Sequence, residues 1–217
     1  DEWLALHPGA SAPIVVSLSS GGAQSENGFI EHLSHDLPKH VANAFMGLPL
    51  DQLTIGAHGI SSGGRQLVDT LFVKPTAFDT LSFTGMACGQ LDPRKPFALP
   101  PGALAAFGRT LAERAKTGAF RMRFANGSRD GQLPCSRELH KALRESGLFA
   151  PTAPQWGPCL AGASKNASKC DWRADGWVSF AGEMHHYGLL EKAHPDQLSW
   201  QLGVLDAAVR RRAERRP

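Results

Sequence analysis

The stretch from Leu53 to Val73 constrains the fold more than any other part of the chain. A short run of apolar and β-branched residues leads into Gly59-Ile60-Ser61-Ser62-Gly63, and a helix-like segment follows from Arg65 onward. A Gly-x-Ser-x-Gly pattern between a strand and a helix is typical of a nucleophile elbow, a sharp turn that points the serine hydroxyl into a cleft. Ser61 is therefore a candidate nucleophile, and an ordinary tight turn is the alternative.

The glycines on either side of Ser61 fit the same interpretation. We expect side chains at Gly59 and Gly63 to collide with the neighbouring strand and helix, so that only glycine is accepted at both positions. The first N–H groups of the following helix have no acceptor within that helix. Together with the helix dipole, they would stabilise negative charge that develops beside Ser61.

Length and charge limit the classes of protein to consider. The 217 residues are most simply one domain, 1–217, with a sizeable core. No apolar run approaches the length of a membrane span, and no signal peptide is recognisable. Much of the net charge of +3 comes from arginines between Arg210 and Arg216, which we interpret as a solvated helix end. Because no basic surface interleaved with aromatic residues is evident, nucleic acid is not an expected partner.

The four cysteines bear on the compartment of the protein. None is in C-x-x-C spacing, so no zinc site is expected. Cys159 and Cys170 bracket a loop that a disulfide could close, whereas Cys88 and Cys135 each follow a predicted strand, near the same edge of a parallel sheet. Two disulfides would indicate an oxidising compartment and hence a secreted or periplasmic protein. Four unpaired thiols in a cytoplasmic protein are the alternative.

Strand-like and helix-like segments alternate along the chain. This alternation predicts an α/β fold with a mainly parallel sheet and helices on both faces. Residues 151–176, rich in proline, glycine and serine, are expected to form an inserted loop bracketed by cysteines. The predicted strands are Pro13–Leu18, the elbow strand, part of Phe78–Met86, Phe120–Phe124 and Trp177–Phe180, and the predicted helices are Phe29–Phe45, the elbow helix, Gly102–Lys116, Arg137–Ser146 and a closing helix around Leu198–Val209.

Three local expectations go with these elements. Pro38 is expected to interrupt or kink the first helix, because proline lacks the N–H group that a helix interior needs. Phe120, Met122 and Phe124 alternate with arginines, which predicts a strand with one exposed face near a sheet edge. Ser136 is the expected N-cap of the helix that begins at Arg137.

A nucleophilic serine needs a base that takes its proton and an acid that orients the base. Asp130 lies in a loop directly after a predicted strand, at the expected carboxyl edge of the sheet, and Glu138 is the alternative acid. His185 follows the last predicted strand and is the candidate base, with His186 as the alternative. Metal binding by these two histidines is disfavoured because no H-E-x-x-H pattern is present. His58 is expected to pack beneath the elbow.

Gly59-Ile60-Ser61-Ser62-Gly63-Gly64 resembles the elbow of the esterase branch of the α/β-hydrolases, which includes esterase D-like carboxylesterases, enterochelin esterases, feruloyl esterases and mycolyltransferases. Further similarity covers most of residues 14–209, notably Phe83–Pro93, Ala125–Leu143 and Gly182–Tyr187. The resemblance implies a Ser61–Asp130–His185 triad that cleaves a carboxylic ester through an acyl-enzyme without a cofactor. The ester would be that of a carbohydrate or a polyester if the protein is secreted.

This chain also departs from that branch. The branch has more strands before the elbow, and the residue after the histidine is usually aspartate, where this chain has His186. By the logic of the fold, the Ser62 N–H is one oxyanion donor, and Ser20 or Gly21 would supply the second. An acyltransferase with the same triad and a catalytically inactive binding module are the alternatives. Acyl and alcohol identity, disulfide pairing and oligomeric state stay open at the level of the sequence.

Overall fold

The structure, a computed structural model, describes residues 14, 16, 31–44, 53–87, 102–149, 176–180, 183–185 and 187–214. Strands and helices alternate through most of this part of the chain. A π-helical turn, His32–Asp36, leads into helix α1. The elements in chain order are α1 (Leu37–Ala44), β1 (Gly56–Ile60), α2 (Ser62–Val73), β2 (Thr80–Thr84), α3 (Ala103–Lys116), β3 (Arg121–Gly127), α4 (Leu133–Glu145), β4 (Gly176–Phe180) and α5 (Tyr187–Glu214).

The four described strands form one parallel sheet in the order β1-β2-β3-β4. Gly59 is in register with Phe83, and Phe83 with Phe124, so the strands end close to one another at the carboxyl edge of the sheet. A parallel pair needs a crossover between its strands, and α2, α3 and α4 lie within these connections. The predicted α/β architecture with a mainly parallel sheet is therefore confirmed for the described residues.

Successive side chains of a β-strand point to opposite faces of the sheet, so each strand contributes to two packing layers. One face of the sheet carries the larger apolar cluster, which it shares with α2, α3 and α4. The opposite face carries Ala125 and Phe180, which are buried with Leu189 and Ala193 of α5. Members of the larger cluster include Leu81, Phe83, Met122 and Phe124 from the strands and Val68, Leu71, Leu111, Leu139 and Leu143 from the helices.

The position predicted for the strand rich in arginine was wrong. β3 pairs with β2 on one side and with β4 on the other, and it is buried from Met122 to Gly127. Arg123 is only 2% exposed. Its guanidinium group lies 5.7 Å from the centre of the Trp200 ring of α5. The alternating arginine thus faces a covering helix instead of solvent, which the pattern of one strand cannot reveal.

The predicted start of α4 was also wrong. The helix begins at Leu133, with Pro134 in its first turn, so Ser136 is a buried residue inside the helix and not its N-cap. Proline suits the first turn because the N–H that it lacks would have no acceptor there. Cys135, the one cysteine among the described residues, is buried in the same turn and is not a free thiol. Cys88, Cys159 and Cys170 lie outside the described residues, so the predicted pairing stays a prediction.

Pro38 coincides with a change of helix type. The Leu37 N–H donates to the carbonyl of His32, five residues earlier, and α1 follows the π-helical turn from Leu37 onward. A proline ring crowds the carbonyl four residues before it, and the wider π turn relieves such crowding. The predicted interruption near Pro38 is thus present as a π-helical turn.

The first predicted strand is not seen at its two described positions. Ile14 and Val16 are outside the sheet, and they are 42% and 45% exposed. The other residues of Pro13–Leu18 lie outside the described residues, as do residues 151–175 of the predicted inserted loop. None of the helices in the described part of the chain is both long enough and apolar enough to span a membrane.

Candidate active site

Ser61 lies at the junction of β1 and α2 with an unusual backbone conformation. Its φ of 52° and ψ of −120° make it the one non-glycine residue with positive φ in the described part of the chain. The Ser61 N–H donates to the Thr84 carbonyl at 3.0 Å, and the Ser61 carbonyl accepts from Gly64 and Ala87 at 3.1 and 3.0 Å. These bonds hold the serine in a conformation that costs of the order of 1–3 kcal/mol on its own.

The glycines around Ser61 differ in their surroundings. A Cβ atom at Gly59 would lie 2.5 Å from the Gly64 Cα atom, so the turn closes only with glycine there. At Gly64 a Cβ would meet Phe83 and Met86 at 3.2 and 3.3 Å. The expectation for Gly63 was wrong, because a Cβ at that position meets none of the described residues within 4 Å. Both glycines lie in the first turn of α2, and Gly64 is the one that packs against Phe83 of the sheet.

Three side chains from separate segments meet beside Ser61. The His185 Nε2 atom is 2.9 Å from the Ser61 Oγ atom. The His185 Nδ1 atom is 3.1 Å from Asp130 Oδ1 and 3.2 Å from Asp130 Oδ2. Ser61 follows β1, Asp130 follows β3 and His185 follows β4, so all three come from the carboxyl edge of the sheet. The structure thus brings together the three residues that the sequence singled out.

Asp130 is enclosed by hydrogen-bond donors. Its side chain is 0% exposed. The Gln132 N–H donates to Oδ1 at 2.8 Å, and the Asn126 side-chain amide donates to Oδ2 at 3.2 Å. Because a carboxylate only accepts hydrogen bonds, His185 Nδ1 carries the proton in this arrangement, and Nε2 is left to accept one from Ser61. The sequence analysis gave Asn126 no role in the site, because neither its place near the end of β3 nor its Asn-Gly-Ser context indicates a contact with Asp130.

The segment that carries His185 is fastened to the end of β3. The Arg129 N–H donates to the Glu183 carbonyl at 2.9 Å, and the Ser128 N–H donates to the Phe180 carbonyl at 2.9 Å. A Cβ at Gly127 would overlap the Glu183 carbonyl group. Lys192 of α5 pairs with the Glu183 carboxylate. His185 therefore projects from a backbone that is fixed within two residues of it.

The remaining candidates have different places. Glu138 is exposed on α4, and the carboxylate that meets His185 belongs to Asp130. Ser62 is the first residue of α2, so its N–H belongs to the turn that lacks acceptors within the helix. Ser20, Gly21 and His186 lie outside the described residues.

His58 lies on β1, three residues before Ser61. Its Nδ1 atom is 2.7 Å from the Ser82 Oγ atom of β2, and its ring is 5.0 Å from the ring of His194 on α5. Burial, and to a smaller extent the charge of His194, lowers the pKa of His58 to about 4. A histidine with so low a pKa is neutral at pH 7 and acts here as a packing residue between the sheet and α5.

Within the described residues, no group of three or more histidine, cysteine, aspartate or glutamate side chains could hold a metal ion. No protein-family model matches the chain, and no curated protein sequence matches it. What the site can do chemically is therefore inferred from its own atoms.

Proposed function

We propose that this chain is a serine hydrolase of the α/β-hydrolase type that cleaves a carboxylic ester through an acyl-enzyme. One observation carries the proposal. A single imidazole, that of His185, lies within hydrogen-bond distance of both the Ser61 hydroxyl and the buried Asp130 carboxylate. This is the arrangement that turns an ordinary hydroxyl into a nucleophile, because the base is within reach of the proton and the acid fixes the tautomer of the base.

The acylation step follows from these distances. The Ser61 Oγ atom attacks the ester carbonyl carbon while its proton passes to His185 Nε2. The imidazolium that forms keeps its Nδ1–H bond to Asp130, which offsets the new positive charge. The carbonyl oxygen becomes an oxyanion, and the N–H of Ser62, the first residue of α2, is the proposed donor nearest to Ser61 in the chain. The N–H groups of Gly64 and Arg65 already donate to the Ser61 carbonyl.

The second half of the reaction restores the serine. His185 Nε2 gives its proton to the leaving alkoxide, the C–O bond of the ester breaks and the alcohol departs. A water molecule then gives a proton to the same nitrogen and attacks the acyl carbon. Collapse of this second intermediate returns the proton to Ser61 Oγ and releases the carboxylic acid. No cofactor takes part in the steps as proposed.

Exposure and topology favour this assignment. The side chain of His185 is 35% exposed, which leaves a path for substrate, whereas that of Asp130 is shielded completely. Strand–elbow–helix geometry at Ser61, with the acid and base following later strands of one parallel sheet, is typical of α/β-hydrolases. Ligands of open parallel sheets bind at the carboxyl ends of the strands, where Ser61 lies. The substrate proposed from the resemblance is a carboxylic ester, that of a carbohydrate or a polyester if the protein is secreted.

The test is labelling with a fluorophosphonate probe, followed by peptide mapping and by assays on short-chain p-nitrophenyl esters. We expect one adduct, on Ser61, in the wild-type protein. S61A is expected to lose both the adduct and turnover. S199A, which changes an exposed serine on α5, is the matched control and is expected to keep both.

A folded wild-type protein that neither reacts with the probe nor turns over any ester would contradict the proposal. Turnover that gives ester exchange with an added alcohol in place of acid release would identify an acyltransferase with the same triad. Circular dichroism of each variant establishes that the comparison is between folded proteins.

A further inference from the structure

The turn that follows β2 is hydrogen-bonded to the backbone of Ser61. The Thr84 carbonyl accepts the Ser61 N–H at 3.0 Å, and the Ala87 N–H donates to the Ser61 carbonyl at 3.0 Å. The Met86 side chain is fully buried and would lie 3.3 Å from a Cβ at Gly64. This turn, residues 84–87, therefore fixes the backbone of the proposed nucleophile by contacts on both sides of Ser61.

Gly85 in the same turn lies against the other two members of the triad. A Cβ at Gly85 would be 2.7 Å from His185 Nδ1, 2.9 Å from His185 Cε1 and 2.9 Å from Asp130 Oδ2. The Gly85 N–H donates to the Ala125 carbonyl at 2.9 Å, so the turn cannot retreat without breaking a bond to β3. The hydrogen bond between His185 and Asp130 thus occupies space that any side chain at this position would need.

We infer that Gly85 is a positioning residue for the triad, an inference that rests on the function proposed above. Its missing side chain lets the imidazole of His185 reach Asp130 and Ser61 at the same time. Because the contact distances are below 3 Å, a methyl group would push the ring away from one partner or the other. Displacement of about 1 Å at a reacting group lowers rates about a hundredfold.

The chain offers closely matched controls for this residue. Gly85 has a φ of +56°, and Gly118 and Gly147 have φ values of +73° and +86°. Among the residues that the structure describes, a Cβ at Gly118 or Gly147 meets nothing within 4 Å. Alanine at any of the three positions meets the same kind of backbone strain. Only at Gly85 does it also meet His185 and Asp130, so the comparison separates positioning from general destabilisation.

The experiment compares G85A with G118A in three measurements. The first is kcat and KM for a p-nitrophenyl ester. The second is the rate of fluorophosphonate labelling. The third is the downfield proton NMR signal of His185 Nδ1–H, assigned by its loss in H185A. We expect G85A to lower kcat and the labelling rate about a hundredfold, with KM changed less than about threefold. The NMR signal should shift or disappear in G85A and persist in G118A.

Equal kcat values and an unchanged NMR signal in G85A and G118A would overturn the inference. The NMR signal does not depend on turnover, so it separates the two proposals. If the wild-type protein is inactive but its signal is lost only in G85A, the proposed function fails and the positioning role stands.

A double variant covers the case in which G85A is too unstable to assay. In H185A the ring that the new methyl group meets is absent, so G85A should lower the urea unfolding midpoint less in the H185A background than in the wild type. An equal drop in both backgrounds, or an H185A/G85A protein that stays unfolded, would contradict the inference.

Discussion

At the scale of single residues, the site is built by the backbone of Ser61 and by the glycines that surround it. Ser61 adopts a positive φ because its N–H and carbonyl groups are bonded to the ends of neighbouring segments. Gly59 permits this turn, since the Gly64 backbone occupies the space that a side chain would need. In the described part of the chain, Gly63 has no such neighbour. The two glycines of the motif are therefore not equivalent, although the sequence pattern treats them alike.

Alanine substitutions should separate these two glycines. G59A forces a methyl group against the α2 backbone, so we expect a loss of about 1–3 kcal/mol in the free energy of unfolding. G63A adds a methyl group within a helix, at a position where it meets no described residue within 4 Å, so we expect no loss and a gain of up to about 1 kcal/mol. Urea denaturation followed by circular dichroism measures both values. A comparable loss in both variants would contradict the contacts described for the elbow.

At the scale of elements, α5 is fastened to the sheet by buried amide groups as well as by apolar packing. The Gln201 side-chain amide donates to the Ala57 carbonyl and to Thr80 Oγ1, both at 2.8 Å. The Gln197 side-chain amide donates to the Phe83 carbonyl at 2.9 Å. Both glutamines are at most 5% exposed. Because hydrogen bonds are directional, they fix the rotation of α5 relative to the strands within a narrower range than apolar contacts alone would.

Replacement of one glutamine tests this fastening. In Q201L the buried Thr80 hydroxyl and the Ala57 carbonyl lose their donor, so we expect the free energy of unfolding to fall by about 1–3 kcal/mol. S199A, at an exposed position of the same helix, should change it by less than about 0.5 kcal/mol. Urea unfolding curves supply the comparison. A Q201L protein as stable as S199A would mean that the bonds contribute nothing net.

At the scale of the whole molecule, two histidines couple folding to pH. Burial lowers the pKa of His58 to about 4, with His194 as a smaller cause. Burial also lowers the pKa of His140, on α4, to about 4, with Arg144 as a smaller cause. The ordinary histidine value is 6.5. Between pH 6.5 and 4 the unfolded chain therefore binds more protons than the folded protein, and stability falls as the pH falls through this range.

This linkage predicts a measurable pH dependence. Relative to pH 8, each of the two histidines should lower the free energy of unfolding by about 1–2 kcal/mol at pH 5. H58N, which removes one titrating group, should reduce this dependence. H40N removes an exposed histidine and should leave it unchanged. Urea midpoints at pH 8 and pH 5 provide the test. An equal pH dependence in H58N and the wild type would show that His58 does not carry it.

Much of the element pattern was predictable from the sequence because it depends on local periodicity. The predicted helix Gly102–Lys116 is observed as Ala103–Lys116, and the strand predicted within Phe78–Met86 is observed as Thr80–Thr84. The expected place of Asp130 at the carboxyl edge of the sheet followed from the strand before it. The start of α4 was predicted wrongly because Ser136 suits an N-cap position, whereas Pro134, two residues earlier, suits the first turn of a helix.

The sequence by itself determined the strand–elbow–helix unit and the chain order of Ser61, Asp130 and His185. The unit is encoded by residues close along the chain, and each of the three residues directly follows a strand that local periodicity predicts. Only the tertiary structure decided that β3 is central, that Arg123 is covered by α5 and that Gly85 lies against the His185–Asp130 pair. The physical reason is that each of these depends on contacts between residues far apart in the chain. Such contacts arise when the sheet assembles, and no periodicity within one segment encodes them.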